Sequence, residues 1–508
     1  MNLLSSTSVF SFYTLISRIL GYIRDILIAI FLGASMFADA FFVAFRLPNT
    51  FRRLFAEGTF NAAFIPSYTA EKNKDNKKGK KFADDVISFL IIILLIIIFI
   101  VEIFTPYVVY LIAPGFFEET EKFNLAVEFT RITFPFLIFV SLSSFFSGIL
   151  NSNNKFAAAA AAPIILNIIL IASLSISYFL NLDIAKNLSY AVTLSGVIQL
   201  IFLIFFTKKY YKPSINLKLK INNKVNLFIK KLLPSIFSSG VTQINILIGT
   251  IIASFESSAV SYLYYADRVY QINLAIAGIA VGTVSLPVLA NAISKKRISK
   301  VYKIQNNSIQ LSLLLSVPAS LGLIIASEQI VNALFGYGSF SEKNILMTAS
   351  ALKYFGYGVP AFALVKVLSN LFFARNNTKT PFYMSLLIVT LNIIISLSFF
   401  NQVGFVIIPI ATSISTWIGV IIYFILLKRL RYLNYDAQLL SNLLKVIFSS
   451  FLMCIILYYG LSFFAENLNY ANKFKSIYLL FTVIFVATFY LISCYLLGIL
   501  NLKNYKTN

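Results

Sequence analysis

The chain has 508 residues, of which 59% are hydrophobic and only 12% are charged, and its formal net charge is +23. With a mean hydropathy of +0.83, this composition excludes an ordinary soluble enzyme and is typical of a polytopic membrane protein. The apolar runs do not alternate with polar residues as the strands of a transmembrane β-barrel do, so we predict an all-α fold.

Fourteen stretches are predicted to span the membrane, since a spanning helix needs about 20 mostly apolar residues. The first contains Arg18, Arg24 and Asp25 and lacks a small-residue cleavage site, so we predict no cleaved signal peptide. In chain order the stretches are 10–30, 37–62, 84–111, 128–150, 158–180, 188–206, 232–254, 260–290, 308–333, 347–373, 382–400, 404–427, 441–464 and 477–499.

The basic residues are divided unequally between the predicted loops. Of the 42 lysines and arginines, 27 lie in alternate loops or in the C-terminal tail, and 5 lie in the intervening loops. This is the positive-inside pattern for an even number of spans, and it predicts that both termini are cytoplasmic. The basic charge therefore reports topology, and we expect no nucleic-acid partner.

Several kinds of chemistry lack the residues that they need. Histidine is absent, which removes the imidazole base and the histidine metal ligand, and no GxxxxGK[ST] loop is present. Cys454 and Cys494 lie in apolar spans, where we expect small core residues and no disulfide. The extramembrane segments are too short for a catalytic domain. We expect no catalytic residue, metal or cofactor, and a transporter in place of an enzyme.

The two halves of the chain carry an internal repeat. A shift of 225 residues aligns Pro135 with Pro360, Ser144 with Ser369, Asn151 with Asn376, and LNII at 166–169 with LNII at 391–394; a shift of 220 aligns Ser195 with Ser415. The shift crosses six spans, so it predicts two parallel six-helix lobes related by a pseudo-twofold axis along the membrane normal, plus two extra helices.

This repeat predicts the domain organisation. We expect an N-terminal lobe at 1–207, a cytoplasmic linker at 208–231, a C-terminal lobe at 232–431, and the last two spans at 432–508. Transporters built from two such lobes hold their substrate near the membrane midplane and alternate access by rocking.

Ten basic residues lie inside predicted spans, where each charge costs about 2.5–3.5 kcal/mol unless it faces water, a partner or a ligand. Six are arginines of the first, second and eighth spans: Arg18, Arg24, Arg46, Arg52, Arg53 and Arg268. Guanidinium groups that face a cavity indicate an anion, and they match phosphate oxygens well. The alternatives are snorkelling to the interface or pairing with the carboxylates Asp39, Glu57 and Asp267.

Other charged residues inside spans receive different predictions. For Arg131 we predict an ion pair with Glu128, one helical turn earlier. Pro48 should kink the second span between Arg46 and Arg53. The roles of Arg46, Lys353 and Lys366 are left open.

Five stretches resemble the MurJ (MviN) lipid II flippases, which belong to the multidrug/oligosaccharidyl-lipid/polysaccharide exporter superfamily. The likeness covers nearly the whole chain and is densest in the first, second and eighth spans. The stretches are SRILGYIRD (17–25), ADAFFVAFRLPNTFRRLFAEGTFNAAFIP (38–66), YYADR (264–268), LAIAGIAVGTVSLP (274–287) and ARNNTKTP (374–381).

The resemblance implies a monomer of the bacterial inner membrane that moves lipid II, an undecaprenyl-pyrophosphate-linked disaccharide peptide, to the periplasmic leaflet for peptidoglycan synthesis and cell shape. A central cavity would bind the pyrophosphate and sugar head, and the last two spans would line a groove for the tail among the membrane lipids. The substrate-binding residues that it implies are Arg18, Arg24, Asp25, Asp39, Arg52, Arg53 and Arg268.

Two departures from the family pattern concern charge. Gln271 stands where some members carry an acidic residue, and the seventh span offers only Gln243 and Asn245 where some members bind sodium. Sodium coupling is therefore not expected, and the membrane potential could act in its place, at about 2.3 kcal/mol per charge per 100 mV.

Three other functions compete with this prediction. A drug-cation antiporter should line its cavity with carboxylates, whereas arginines dominate here. A flippase for another polyprenyl-pyrophosphate-linked oligosaccharide would share the same phosphate chemistry. An integral-membrane enzyme that uses a polyprenyl-phosphate donor would need catalytic carboxylates, and the segment 114–128 has Glu118, Glu119 and Glu121 without a partner constellation.

Overall fold

A computed structural model describes residues 3–56, 59–215 and 222–499. Within these ranges the chain is helical and contains no strand, which confirms the predicted all-α class. The helices form two compact units, Met1–Ser261 and Tyr262–Asn508. Glu57, part of the linker 208–231 and the basic C-terminal tail lie outside the described residues.

The first unit contains ten α-helices, joined after α5 by a short 3₁₀ turn at Pro114–Glu118. They are α1 Leu3–Leu32, α2 Met36–Ala56, α3 Thr59–Lys74, α4 Asn76–Ile103, α5 Thr105–Ile112, α6 Thr120–Thr133, α7 Phe136–Ser152, α8 Phe156–Phe179, α9 Ile184–Thr207 and α10 Asn223–Ala253.

The remaining helices begin with α11, whose first turn ends the first unit. A π-helical segment, Ala275–Ala280, continues α11 into α12, and a 3₁₀ turn, Gly404–Val406, joins α16 to α17. The helices are α11 Ala259–Leu274, α12 Val281–Ser294, α13 Ile298–Ile325, α14 Ser327–Phe335, α15 Glu342–Phe373, α16 Lys379–Val403, α17 Ile407–Arg429, α18 Ala437–Phe463 and α19 Lys475–Leu496.

The helices agree with the fourteen predicted spans. Ten helical segments of the described chain are long and apolar enough to cross a membrane, and one of them, Lys379–Arg429, contains two predicted spans. The other three spans correspond to α1, α2 and α10, and α1 carries Arg18, Arg24 and Asp25 within its length. Some spans are divided: α6 ends at Thr133 and α7 begins at Phe136, because Pro135 between them has no N–H to donate.

An aromatic cluster joins α3, α7 and α10 in the first unit. Phe64 of α3 lies with its ring centroid 5.0 Å from that of Phe145 on α7, and Phe60 lies 5.6 Å from Phe228 on α10. All four side chains are at most 1% exposed. Phe228 belongs to the predicted linker 208–231, so this connection contributes to the core of the first unit.

Acidic residues of α3 and α4 also hold the linker. Asp84 accepts hydrogen bonds from the Tyr211 hydroxyl at 2.6 Å and from the backbone N–H of Ser214 at 2.9 Å. Asp85 accepts from the Asn222 amide at 2.6 Å.

Burial and the bond to Asp84 raise the pKa of Tyr211 well above its usual range. Hydrogen bonds from Lys224 and Lys74 lower the pKa of Glu71, so this side chain meets Lys224 as a carboxylate.

This anchoring predicts how the linker responds to mutation. Asp84→Asn should make the 208–222 segment more susceptible to limited proteolysis, because a neutral amide is a weaker acceptor than a carboxylate for the two donors of the linker. Ser214→Ala is the matched control, since it keeps the backbone N–H that donates to Asp84. Equal cleavage rates for the Asp84→Asn variant and the native chain would contradict the anchoring.

In the second unit, α18 and α19 pack on α13 and α14. Tyr490 donates to the backbone oxygen of Leu314 at 2.7 Å, and Lys445 donates to that of Leu497 at 3.0 Å. Lys445 therefore satisfies a free carbonyl at the C-terminal end of α19, which accounts for one lysine inside a predicted span. Both cysteines are free, and Cys494 is buried in this cluster with Cys454 packed against it, as predicted.

The helices α7 and α15, which the predicted repeat aligns, end in the same kind of turn. Each turn has an asparagine in the left-handed region, Asn154 with φ 58° and Asn376 with φ 59°. The next residue donates its N–H to the carbonyl five positions earlier in both cases. These two asparagines are 222 positions apart, but Asn181, Lys296 and Arg431 form the same turn, so the match of Asn151 with Asn376 stays a prediction.

Candidate substrate-binding site

A buried charge pair lies on α1 where it packs against α8. Arg24 and Asp25 are 7% and 2% exposed, and Nη2 of Arg24 lies 2.7 Å from Oδ1 of Asp25. Nη1 of Arg24 donates at 3.0 Å to Oδ1 of Asn167, which belongs to the LNII motif and donates in turn to the backbone oxygen of Ser17. The guanidinium of Arg24 is thus oriented by hydrogen bonds to both Asp25 and Asn167. Arg18, two turns earlier, is exposed.

The second group of arginines lies around Pro48 on α2. Arg46, Arg52 and Arg53 are all partly exposed, while Pro48 itself is buried within a continuous helix. Nε of Arg52 donates to Oδ1 of Asn49 at 3.0 Å, one turn earlier on the same helix. This part of α2 can therefore present guanidinium groups to an anion.

Asp39 does not pair with these arginines, although such pairing was one alternative to anion binding. Its side chain is fully buried, and Oδ2 lies 2.9 Å from Nζ of Lys122, which is 1% exposed. Oδ1 accepts from the backbone N–H of Ser261 at 2.9 Å and from its hydroxyl. That N–H is one of the unpaired donors in the first turn of α11, so Asp39 satisfies a helix terminus and an ammonium group together.

Lys122 is a residue that sequence reasoning missed, because it falls in a segment predicted to be an exposed outer loop. It lies in the first turn of α6, with its ammonium 4.3 Å from the ring centroid of Phe116. The spacing of the buried residues Lys122, Ala126 and Phe129 is helical and could have placed the lysine on the inner face.

Arg268 of the second unit lies over an aromatic ring. Its guanidinium carbon is 4.7 Å from the centroid of Tyr264, and Nη2 donates to the Tyr264 hydroxyl at 3.0 Å. Asp267 accepts a hydrogen bond from Gln271, the residue at which the chain departs from the family pattern. The π-helical segment Ala275–Ala280 follows within two turns, and such segments are frequent at functional sites.

The comparisons with known proteins follow this geometry. A family model described as lipid II flippase MurJ matches residues 28–502. The chain belongs to the MurJ lipid II flippase family. "Probable lipid II flippase MurJ" of Rhizobium tropici is 37% identical over 452 residues, covering 88% of this chain and 85% of that one. The Rickettsia prowazekii (strain Madrid E) protein of the same description is 35% identical over 511 residues and 99% of both chains.

Solved structures place the MurJ family member in the same architecture. The structure titled "Lipid II flippase MurJ, inward closed conformation" superposes with a TM-score of 0.80 at 27% identity, covering 96% of this chain and 98% of that one. An inward-facing multidrug resistance MATE transporter of the MOP superfamily gives a TM-score of 0.67 at 16% identity, covering 82% and 94%. The latter likeness shows the fold alone.

One further prediction about charged residues of this MurJ family member has a clear outcome. The predicted ion pair between Arg131 and Glu128 is wrong: Glu128 lies 2.7 Å from Nζ of Lys186 in the first turn of α9, and Arg131 is exposed. A tertiary partner from α9 has replaced the local one. Lys353 and Lys366 are both exposed on α15.

Proposed function

We propose that this chain moves lipid II from the cytoplasmic to the periplasmic leaflet of the bacterial inner membrane by alternating access. The observation that carries this proposal is membership of the MurJ lipid II flippase family over residues 28–502. The arginines of α1, α2 and α11 support it, because a pyrophosphate crossing a low-dielectric region needs cationic partners. The chain would act as a monomer.

The arginines would contribute in different ways to binding the head group. Arg18 is exposed and Arg52 and Arg53 are partly exposed, so they are the stronger candidates for direct contact with phosphate oxygens. Arg24 would bind only by sharing its fork with Asp25, which orients it. Arg268 would contribute from the face of Tyr264.

Asp39 would not contact the substrate directly. Its two oxygens are engaged by Lys122 and Ser261, and it has no exposed surface for a ligand. We propose that it fixes the start of α11, the helix that carries Arg268.

The polyprenyl tail would contact α18 and α19. These helices expose large apolar side chains along their length, among them Phe463 at 80%, Leu496 at 76% and Tyr495 at 70%. Such continuous apolar exposure fits acyl or polyprenyl chains, which need no hydrogen-bond partners.

The proposed orientation gives a topology prediction. A single cysteine at position 76 should be cytoplasmic and one at position 118 periplasmic, because lysine and arginine asymmetry decides orientation. Each would be introduced with Cys454 and Cys494 replaced by alanine, and labelled in intact cells with an impermeant maleimide. Labelling at 118 but not at 76 is expected, and labelling at 76 from outside would reverse the orientation.

Complementation tests the proposed function in cells. The gene should restore growth and shape to bacteria depleted of their own lipid II flippase, whereas the Arg52→Ala variant, expressed at the same level, should not. Failure of the native chain despite normal membrane insertion would contradict the proposal.

A further inference from the structure

Three connections of the second unit form one strongly basic face. The segments of this basic face, which lie at the ends of α12, α15 and α17, are 295–303, 374–381 and 427–436. They hold ten lysines and arginines and one acidic residue, Asp436. At the opposite end of the same unit, the segments 326–343 and 464–475 hold three basic and three acidic residues. The excess of cations over carboxylates therefore lies at one end.

Side-chain and backbone contacts hold the three segments together. The guanidinium carbon of Arg375 lies 4.1 Å from the ring centroid of Tyr432, and Nη1 of Arg375 donates to the backbone oxygen of Leu371 at 2.6 Å. The Tyr302 hydroxyl donates to the backbone oxygen of Arg431 at 3.3 Å. The backbone of the basic face therefore presents its cations from fixed positions.

Two cations of the basic face occupy backbone positions that favour glycine. Lys296 and Arg431 have φ of 54° and 55°, the left-handed region in which helices that end in this kind of turn usually have glycine or asparagine. Asn376 occupies the same position after α15. Neither the positive-inside rule nor the helix dipole requires a cation at this residue, since α17 already has Lys428 and Arg429 in its last turn. A basic residue kept in a strained conformation therefore indicates that its charge has a function.

The surroundings of these two cations match the boundary of a bilayer. Lys296 and Arg431 are exposed, and within the described residues no carboxylate forms an ion pair with either side chain. Exposed aliphatic side chains lie close to them in the chain, Ile298 at 64% and Leu430 at 44%. Cationic and aliphatic side chains mixed at the ends of membrane-spanning helices fit a surface where phosphate groups lie above acyl chains.

We propose that the basic face binds the phosphate groups of anionic phospholipids in the adjoining leaflet, with Lys296 and Arg431 in direct contact. Ammonium and guanidinium groups donate charge-assisted hydrogen bonds to phosphate oxygens, and the net negative charge of the lipid adds a further attraction. This surface lies apart from the arginines of α1, α2 and α11, and the proposal does not depend on the flippase activity.

The test is a tryptophan placed on the basic face as a local reporter of lipid. The chain has one tryptophan, so Trp417→Phe with Ile298→Trp gives a single fluorophore close to Lys296. The purified full-length protein is reconstituted into phosphatidylcholine bilayers, and quenching by brominated phosphatidylglycerol or brominated phosphatidylcholine gives the relative association constant of each lipid. We expect phosphatidylglycerol to bind at least about five times more tightly, because each cation near a lipid headgroup contributes roughly that factor.

Variants in this background separate lipid binding from folding. Lys296→Gly with Arg431→Gly should remove most of the preference for phosphatidylglycerol and raise the thermal unfolding temperature, because glycine adopts the left-handed region without strain. Asn376→Gly is the matched control, since it alters the equivalent turn without removing charge. Lys343→Gln with Lys473→Gln removes two exposed charges at the opposite end and should leave the preference unchanged. Equal binding of the two lipids, an unchanged preference in the glycine double variant, or displacement of phosphatidylglycerol by inorganic phosphate would overturn the proposal.

Discussion

Replacing Lys122 with methionine should severely reduce the amount of folded protein in the membrane. The change leaves the Asp39 carboxylate fully buried without its cation, and removing one partner of a buried pair typically costs about 3–5 kcal/mol. Methionine is close to lysine in shape, so lost packing would contribute little. The measurement is the thermal unfolding midpoint of the detergent-solubilised chain, followed by fluorescence-detected size exclusion, beside membrane expression.

A double variant shows whether charge is the cause. Combining Lys122→Met with Asp39→Asn removes both charges and keeps an oxygen that can accept from Ser261, so it should recover much of the stability. Lys343→Met, at an exposed lysine, is the control. A Lys122→Met chain as stable as the native one would contradict the assigned role. A stable double variant that still transports would remove Asp39 from the substrate-binding residues.

Replacing Arg52 or Arg268 with alanine should slow lipid II translocation at least ten-fold while leaving insertion intact. Each change removes a hydrogen-bonded charge contact worth about 1.5–3 kcal/mol, which corresponds to roughly ten- to hundred-fold in rate or affinity. Lysine should rescue only in part, because it keeps the charge but loses the planar fork. Arg131→Gln is the matched control, since Arg131 is exposed and lies outside the arginine group.

For Arg24 we expect a different result in the same experiment. Arg24→Ala would also leave Asp25, which is 2% exposed, without its cationic partner. We therefore expect lower expression as well as lower transport. Arg24→Ala with Asp25→Asn should restore expression but not transport if the guanidinium contacts substrate. Native transport rates for alanine at both Arg52 and Arg268, at normal expression, would show that these arginines are structural.

Much of the fold follows from the sequence because hydrophobic length and lysine–arginine asymmetry are strong, local signals in membrane proteins. The fourteen spans and the free cysteines were predictable on that basis. The breaks within spans were less predictable. Pro135 divides α6 from α7, whereas Pro360 lies inside the unbroken α15. The packing that decides between these two outcomes is not local.

The charge partners were the least predictable part of the site. Counting charges by loop treats every loop lysine as solvated, so Lys122 and Lys475 were assigned to outer loops although both are 1% exposed. Helical spacing predicted an ion pair between Glu128 and Arg131. In the folded chain Glu128 pairs with Lys186 of another helix. Long-range pairs of this kind depend on how helices pack, which one sequence does not specify.

Translocation of lipid II by the purified chain is the most direct measurement of the proposed function. The protein would be reconstituted into sealed liposomes that carry lipid II and, in a parallel preparation, another polyprenyl-pyrophosphate-linked oligosaccharide of similar size. Loss of head-group accessibility to an external sugar-modifying enzyme would be followed over time. We predict translocation of lipid II well above that of protein-free liposomes and of the Arg52→Ala variant. Faster movement of the other oligosaccharide, or no movement of lipid II by correctly inserted protein, would contradict the assignment.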